Sequence, residues 1–155
     1  MVMVPMLALF FALFDFGMAI FLKNTIQYAV RQGVRYAVTS QVQLDGSNNS
    51  IGHDASIKNV VAHNTMGFLN YIAPTGMGRP CAGQSCIQIR YYSPKTLLEV
   101  TGPASNSGGN IIQVSAENLT WAWMVPLLRS AAPLNFSVSS ADIMEASLNG
   151  IPPGR

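Results

Sequence analysis

The chain begins with an apolar stretch from Val2 to Leu22, VMVPMLALFFALFDFGMAIFL, in which Asp15 is the one charged residue. As an α-helix these 21 residues would be about 31 Å long, which matches a bilayer hydrocarbon core of about 30 Å. The Leu, Ile, Val and Phe side chains contribute about −4 to −7 kcal/mol to the free energy of membrane insertion. Asp15 opposes insertion by at most about 3 kcal/mol, so insertion is favoured. The pattern predicts a transmembrane helix over 2–22. A buried core helix would need more protein around it, and a signal peptide needs a basic leader and small residues at its cleavage site.

The helical pattern continues beyond Leu22 and becomes amphipathic. Polar residues recur every fourth position, and an apolar stripe runs at helical spacing along another face. We therefore expect one helix from Pro5 to Val38, with 23–39 as its amphipathic continuation lying on a domain. The polar face consists of Lys23, Gln27, Arg31 and Arg35, and the stripe of Ile26, Val30, Val34 (or Gly33) and Ala37.

The remainder, 40–148, alternates turn-rich segments with one more helix and several strands. A helix is expected over 54–71, capped by Asp54 or Ser56. Strands are expected where apolar and polar residues alternate, and a change of parity after Asn118 predicts a bulge or the end of a strand. The strand segments are 86–92, a short one at 97–101, 112–117 and 134–139, with loops at 40–53, 74–85, 102–110 and 125–132 and a flexible tail at 149–155.

These elements predict an α+β fold. A long N-terminal transmembrane and amphipathic helix, together with a second helix, would pack on a sheet of three or four strands. Short connections between the strands favour an antiparallel sheet.

Composition narrows the functional class. Charged residues are 10% of the chain, against about 25% in a typical soluble protein, which argues against a coiled coil, a disordered tail or an ordinary cytosolic enzyme. The net charge is +2, and no cluster of Lys and Arg is present that could neutralise a nucleic-acid backbone. Two Cys and two His cannot build a four-ligand zinc site of the usual spacing. We expect no nucleic-acid partner and no metal site.

No motif for catalysis or cofactor binding stands out. The run GQSC at 83–86 is not the G-x-S-x-G of a nucleophile elbow, and GMG at 76–78 lacks the third Gly of a dinucleotide site. His53 and His63 are interpreted as solvated side chains rather than bases, and Trp121 and Trp123 as sheet packing rather than a sugar platform. We expect no catalytic residue and no cofactor.

The two cysteines, Cys81 and Cys86, enclose four residues. A disulfide across this loop would stabilise the fold by about 2 kcal/mol and indicate an oxidising compartment, whereas two unpaired thiols would not. The basic residues after the membrane helix, beginning with Lys23, point the other way, because the positive-inside rule would place the C-terminal domain in the cytoplasm. The disulfide and the charge rule would agree on an extracytoplasmic domain if further basic residues preceded Met1 and marked that end of the helix as cytoplasmic.

The N-terminal run VPMLALFFALFDFGMAIFLKNTIQYAVRQGVRYA resembles that of TadE-like proteins, the pseudopilins or minor pilins of bacterial tight-adherence (Tad/Flp) pili. The shared features are Pro5 early in the apolar helix, the acid–aromatic–Gly step at 15–17, and an AxxxGxRYA-like stretch at 29–37. Similar C-terminal features are a Gly-rich turn at 108–109, an aromatic segment with PLL at 126–128 and a closing strand near Glu145. Only the first forty residues are specific.

The resemblance implies a pilin-like fold and a non-enzymatic role in assembling a Tad/Flp-type adhesive pilus. The protein would be a single-pass inner-membrane protein with an extracytoplasmic domain, either remaining there or incorporated in a surface pilus. Its partners would be other pilin-like subunits, the assembly machinery and a prepilin peptidase. That peptidase needs a basic leader ending in Gly, followed by a Glu, and neither residue precedes Pro5 here. Three explanations are open: the natural start lies upstream, the sequence is truncated, or this member is not processed; we expect the first.

Four residues of the long helix are candidates for subunit packing. Asp15 is an intramembrane acid that could pair with Lys23 of a neighbour or with another subunit's N-terminal amine; it could equally reach water or be protonated. Gly17, Ala19 and Gly33 are small enough to allow close helix contact, although no GxxxG is present. The alternative function is a single-pass membrane protein, not processed as a pilin, whose extracytoplasmic domain binds a ligand or partner.

Overall fold

The computed structural model describes residues 3–72, 81–123, 132–147 and 150–155. Its first element is α1, Met3–Val38, a continuous helix of 36 residues and about 54 Å. Pro5 lies in the first turn, where a missing backbone N–H costs nothing. The apolar stripe of Ile26, Val30, Val34 and Ala37 is buried against the rest of the chain.

The expected second helix is two helices. α2 spans His53–Asn64 and α3 spans Phe68–Ile72. The prediction of one continuous helix was wrong because Met66 and Gly67 take positive φ values of 54° and 81°, which no α-helix accommodates. The capping prediction was also wrong: the N-cap is Gly52, and no side chain caps the helix.

Three strands form one antiparallel sheet in the order β1-β2-β3: β1 Ile87–Tyr92, β2 Ile111–Trp121 and β3 Leu134–Ile143. The register between β2 and β3 shifts between Ala116 and Leu119, and Asn118 has a φ of 57°, so the predicted bulge is confirmed. The expected strand at 97–101 is wrong, since only an isolated bridge joins Tyr92 and Glu99.

The sheet and the helices share one core. In the β1–β2 pair, Ile87 lies opposite Ala116 and Tyr91 lies opposite Ile112, and all four side chains are buried in the core. Helix α1 packs across β2 and β3, and α2 packs on α1. The arrangement is the predicted α+β fold with a three-stranded antiparallel sheet.

The domain has two ends, set by the direction of α1. At one end, here called the proximal end, Trp121 of β2 and α3 contact α1 near Asp15 and Phe21. At the other, the distal end, the backbone N–H of Glu145 donates to the carbonyl of Val38 at 3.2 Å. The expectations for 126–128, for most of the 74–85 loop and for most of the 125–132 connection lie outside the described residues.

Candidate membrane anchor and assembly surface

The first part of α1 projects beyond the domain. From Met3 to Phe14 every residue is exposed or half-buried, and the large apolar side chains expose 44% to 75% of their surface. Such a contiguous apolar surface is typical of a membrane or protein contact. By length and composition α1 could cross a membrane. The structure therefore leaves this part of the predicted span bare and apolar.

From Asp15 onward the helix has a covered side and an open side. Asp15, Ala19 and Leu22 are at most 3% exposed because they face the domain. On the other side apolar residues stay exposed, including Phe16 at 55% and Phe21 at 49%. The upper third of the predicted 2–22 span thus lies beside the domain rather than below it.

Asp15 forms a bond within its own chain. The indole Nε1 of Trp121, at the end of β2, donates to Oδ1 of Asp15 at 2.8 Å. Trp121 is 1% exposed, and its ring lies 6.0 Å from that of Tyr71 in α3, tilted by 53°. Because the buried indole N–H has a hydrogen-bond acceptor, burying it costs little free energy. The bond therefore connects α1, through Asp15, to the proximal end of the sheet.

The three small residues expected at helix contacts lie in different surroundings. Gly33 contacts α2, because a Cβ added there would overlap Cγ2 of Val61, and Ala19 is buried in the chain's own core. A Cβ added at Gly17 would meet nothing within 4 Å. Of the three, Gly17 alone is open to another molecule.

The family model described as TadE-like protein matches residues 1–35, which include the bare part of α1, Asp15 and Gly33. This segment is TadE-like. No curated protein and no solved structure matches the chain. The match covers 35 of the 155 residues, so it identifies most of the N-terminal helix and does not extend to the sheet domain. It indicates a Tad pilus-related membrane protein with an N-terminal apolar helix.

Behind the TadE-like helix, the domain contains the expected disulfide between Cys81 and Cys86, with a Cα–Cα distance of 5.1 Å. Cys86 is fully buried and ends a 3-10 turn, Gly83–Cys86, that leads directly into β1. The bond therefore fixes the entry to the first strand against the core. Such a bond persists in an oxidising compartment.

A buried polar cluster closes the distal end. His53 is fully buried and lies between the carbonyl of Ala37, 3.2 Å from Nε2, and the hydroxyl of Tyr91, 3.2 Å from Nδ1. The expectation of a solvated His53 was wrong, because the first turn of α2 packs against the end of α1. Tyr91 donates to Oδ1 of Asp54 at 2.8 Å.

Arg155 completes this cluster from the far end of the sequence. Its guanidinium donates to Oδ2 of Asp54 at 2.7 and 2.9 Å and lies 4.8 Å from the Tyr91 ring centre. The carbonyl of Gly154 accepts from the backbone N–H of His53 at 2.7 Å. Residues 154–155, expected in a flexible tail, thus make charged and backbone bonds to α2. We call these contacts the C-terminal clamp.

Burial dominates the electrostatics of the clamp. It lowers the pKa of His53, and the bond to Ala37 and the charge of Asp54 oppose this shift only in part. Burial also raises the pKa of Tyr91, and the nearby Asp54 carboxylate raises it further. His53 and Tyr91 are therefore neutral at physiological pH and bury no charge. Because His53 is fully buried and Tyr91 is 1% exposed, neither side chain is placed to meet a substrate.

Sequence reasoning found Asp15 and the cysteines but missed the partners of the acid and of Asp54. Trp121 follows Asp15 by 106 positions, and Arg155 follows Asp54 by 101. Local periodicity carries no signal for such pairs. Among the residues that the structure describes, no group of three or more His, Cys, Asp or Glu is arranged to hold a metal ion.

Proposed function

We propose that the chain is a non-enzymatic, membrane-anchored minor pilin or pseudopilin that acts in assembly of a Tad/Flp-type adhesive pilus. The observation that carries the proposal is the coincidence of the TadE-like match over 1–35 with the bare apolar part of α1. A helix that is apolar all round is stable in lipid, and equally stable among other apolar helices once the subunit leaves the bilayer.

Packing between subunits would use the open side of α1. Gly17 has free space around it and lies among exposed aromatic side chains, of which Phe14 and Phe21 expose 62% and 49%. A small residue between large ones lets a second helix approach closely. Asp15 faces the domain and already accepts a bond from Trp121, so we assign it to the internal junction rather than to a neighbour's Lys23 or amine.

The disulfide supports the proposed location. The domain would lie outside the cytoplasm, with α1 crossing the inner membrane once, because Cys81 and Cys86 are joined. Under the positive-inside rule this orientation calls for basic residues on the cytoplasmic side of the helix. A leader upstream of Met1, removed by a prepilin peptidase, would provide them.

The test of the proposal is genetic and chemical. Deleting the gene should abolish or reduce Tad-type pili, and the mature protein from membranes and sheared fibres should begin upstream of Met1, directly after a Gly. Unchanged piliation in the deletion strain would refute the assembly role. A native protein that begins uncut at Met1 would refute peptidase processing and favour an anchored ligand-binding domain.

A single substitution tests the packing surface. Gly17→Leu fills the open side and should lower piliation while the protein still accumulates in the membrane with its disulfide formed. Ile20→Leu is the matched control, since it keeps the side-chain volume on the exposed side of the same helix. Equal piliation in the two strains would refute a contact at Gly17.

A further inference from the structure

Among the residues that the structure describes, the proximal end of the domain exposes apolar side chains. An apolar cleft of about 440 Å³ lies between α1 and α3. Two of its large apolar side chains are exposed, Met66 at 75% and Tyr71 at 61%. The cleft is lined by Met18, Leu22, Met66, Phe68, Tyr71 and Trp121.

This cleft lies level with the upper third of the predicted span. The Phe21 ring meets the Phe68 ring edge-on at 6.0 Å, and Trp121 reaches Asp15. From Asp15 to Leu22 the helix rises by about 10 Å. Two of the lining residues, Phe68 and Trp121, thus lie at the height of 15–22, and Met66 also lies beside Asn24 and Thr25, just above it.

Apolar surface continues around α1 at the same height. Phe16 and Ile20 expose 55% and 47% on the open side, and the first charged residue after Asp15 is Lys23. If lipid covers that side, the same lipid layer reaches the cleft on the other side. Tyr71, which exposes 61% of its surface here, is of a residue type that concentrates at this depth of a membrane, because a ring with one polar atom suits the interface.

We propose that the proximal end of the domain is embedded in the membrane interface and that a phospholipid acyl chain occupies the cleft between α1 and α3. The domain then rests in the bilayer surface rather than standing clear of it on a helical stalk. Among the described residues, the open side of α1 and the cleft then form apolar surfaces at one height on two sides of α1. This inference rests on the proposed membrane anchoring.

Single-cysteine labelling of the full chain tests it. Both native cysteines are joined in the disulfide, so a new cysteine labelled with an environment-sensitive dye without reducing agent reports one position. The variants are Met66→Cys in the cleft rim, Phe10→Cys in the bare helix and Leu98→Cys at the distal end, all at exposed apolar positions. The protein is reconstituted in phosphatidylcholine vesicles with or without brominated acyl chains, and iodide serves as the aqueous quencher.

We expect brominated lipid to reduce emission at positions 10 and 66 and leave position 98 unchanged, with iodide giving the opposite order. Quenching of position 66 by iodide alone would overturn the inference. So would protection of position 66 from both quenchers, which would mean that a second copy of the chain covers the cleft. Tyr71→Cys repeats the measurement if Met66→Cys does not fold.

The position 10 label separates the two proposals. If position 10 reports lipid and position 66 does not, the embedded cleft is refuted and the membrane anchor stands. If position 10 does not report lipid, the anchoring itself fails.

Discussion

The crossing of α1 and α2 provides a sharp test of the packing, because it depends on a glycine. A Cβ added to Gly33 would overlap Cγ2 of Val61 and lie 3.6 Å from Cγ2 of Ile57. Val61 is fully buried, and a β-branched side chain in a helix has one strongly preferred rotamer. The methyl group therefore cannot turn away, and Gly33→Ala must move the helices apart or strain Val61.

Two opposing contributions determine how much Gly33→Ala changes the free energy of unfolding. Alanine is favoured over glycine inside a helix by about 1 kcal/mol, whereas overpacking a tight core costs about 1–3 kcal/mol. Gly33→Ala should therefore range from neutral to about 2 kcal/mol less stable than the native protein. Gly17→Ala is the matched control in the same helix; nothing lies within 4 Å of its added Cβ, so it should gain about 1 kcal/mol of stability from the higher helix propensity of alanine.

The assay is denaturant unfolding of the full chain in detergent micelles, measured by tryptophan fluorescence. The Val61→Ala substitution removes the methyl group that a Cβ added at Gly33 would overlap. Val61→Ala should therefore lower the free energy of unfolding by about 1–3 kcal/mol less in the Gly33→Ala protein than in the native protein. A Gly33→Ala protein as stable as Gly17→Ala would refute a tight crossing at this glycine. Simple addition of the costs of the Gly33 and Val61 substitutions would refute it as well.

Two more predictions concern the domain. Burial lowers the pKa of His53, so the unfolded chain binds a proton more readily than the folded one just below the ordinary pKa of about 6.5. The free energy of unfolding should therefore fall as pH drops from about 6.5 toward the folded-state pKa, by at most about 1.4 kcal/mol per pH unit. Denaturant unfolding of His53→Gln at several pH values should show a smaller dependence of this free energy on pH. An equal pH dependence in the two proteins would contradict an origin in His53. Replacing Cys81 and Cys86 with Ser should lower the free energy of unfolding by about 2 kcal/mol, and a reductant should shift the unfolding midpoint of the native protein but not that of the double variant.

Much of the fold was predictable because it depends on local periodicity. The stripe from Ile26 to Ala37 sets which side of α1 is buried, and alternation in 112–117 sets which side of β2 faces the helices. The parity change at Asn118 marked the bulge for the same reason. Each of these signals comes from residues within one element, where the physical cause is also local.

The rest depended on contacts between distant segments. The break between α2 and α3 needs positive φ values at Met66 and Gly67, and the apolar spacing across 54–71 concealed it. The burial of His53 in the core depends on where α1 ends, which no property of its own polar neighbours reveals. The bond from Trp121 to Asp15 likewise joins a strand end to a membrane helix, so the sequence suggested the acid but not its partner.

The C-terminal clamp has a consequence for biosynthesis. α1 is synthesised first and can enter the bilayer at once, and the five-residue separation of Cys81 and Cys86 lets the disulfide form locally. Asp54 must wait for its positively charged partner, Arg155, which lies 101 positions later. If the domain lies outside the cytoplasm as proposed, the charged bonds at the distal end therefore form only after residue 155 has crossed the membrane. A chain interrupted before that point could form the disulfide but would lack the bonds from Arg155 to Asp54 at the distal end of the domain.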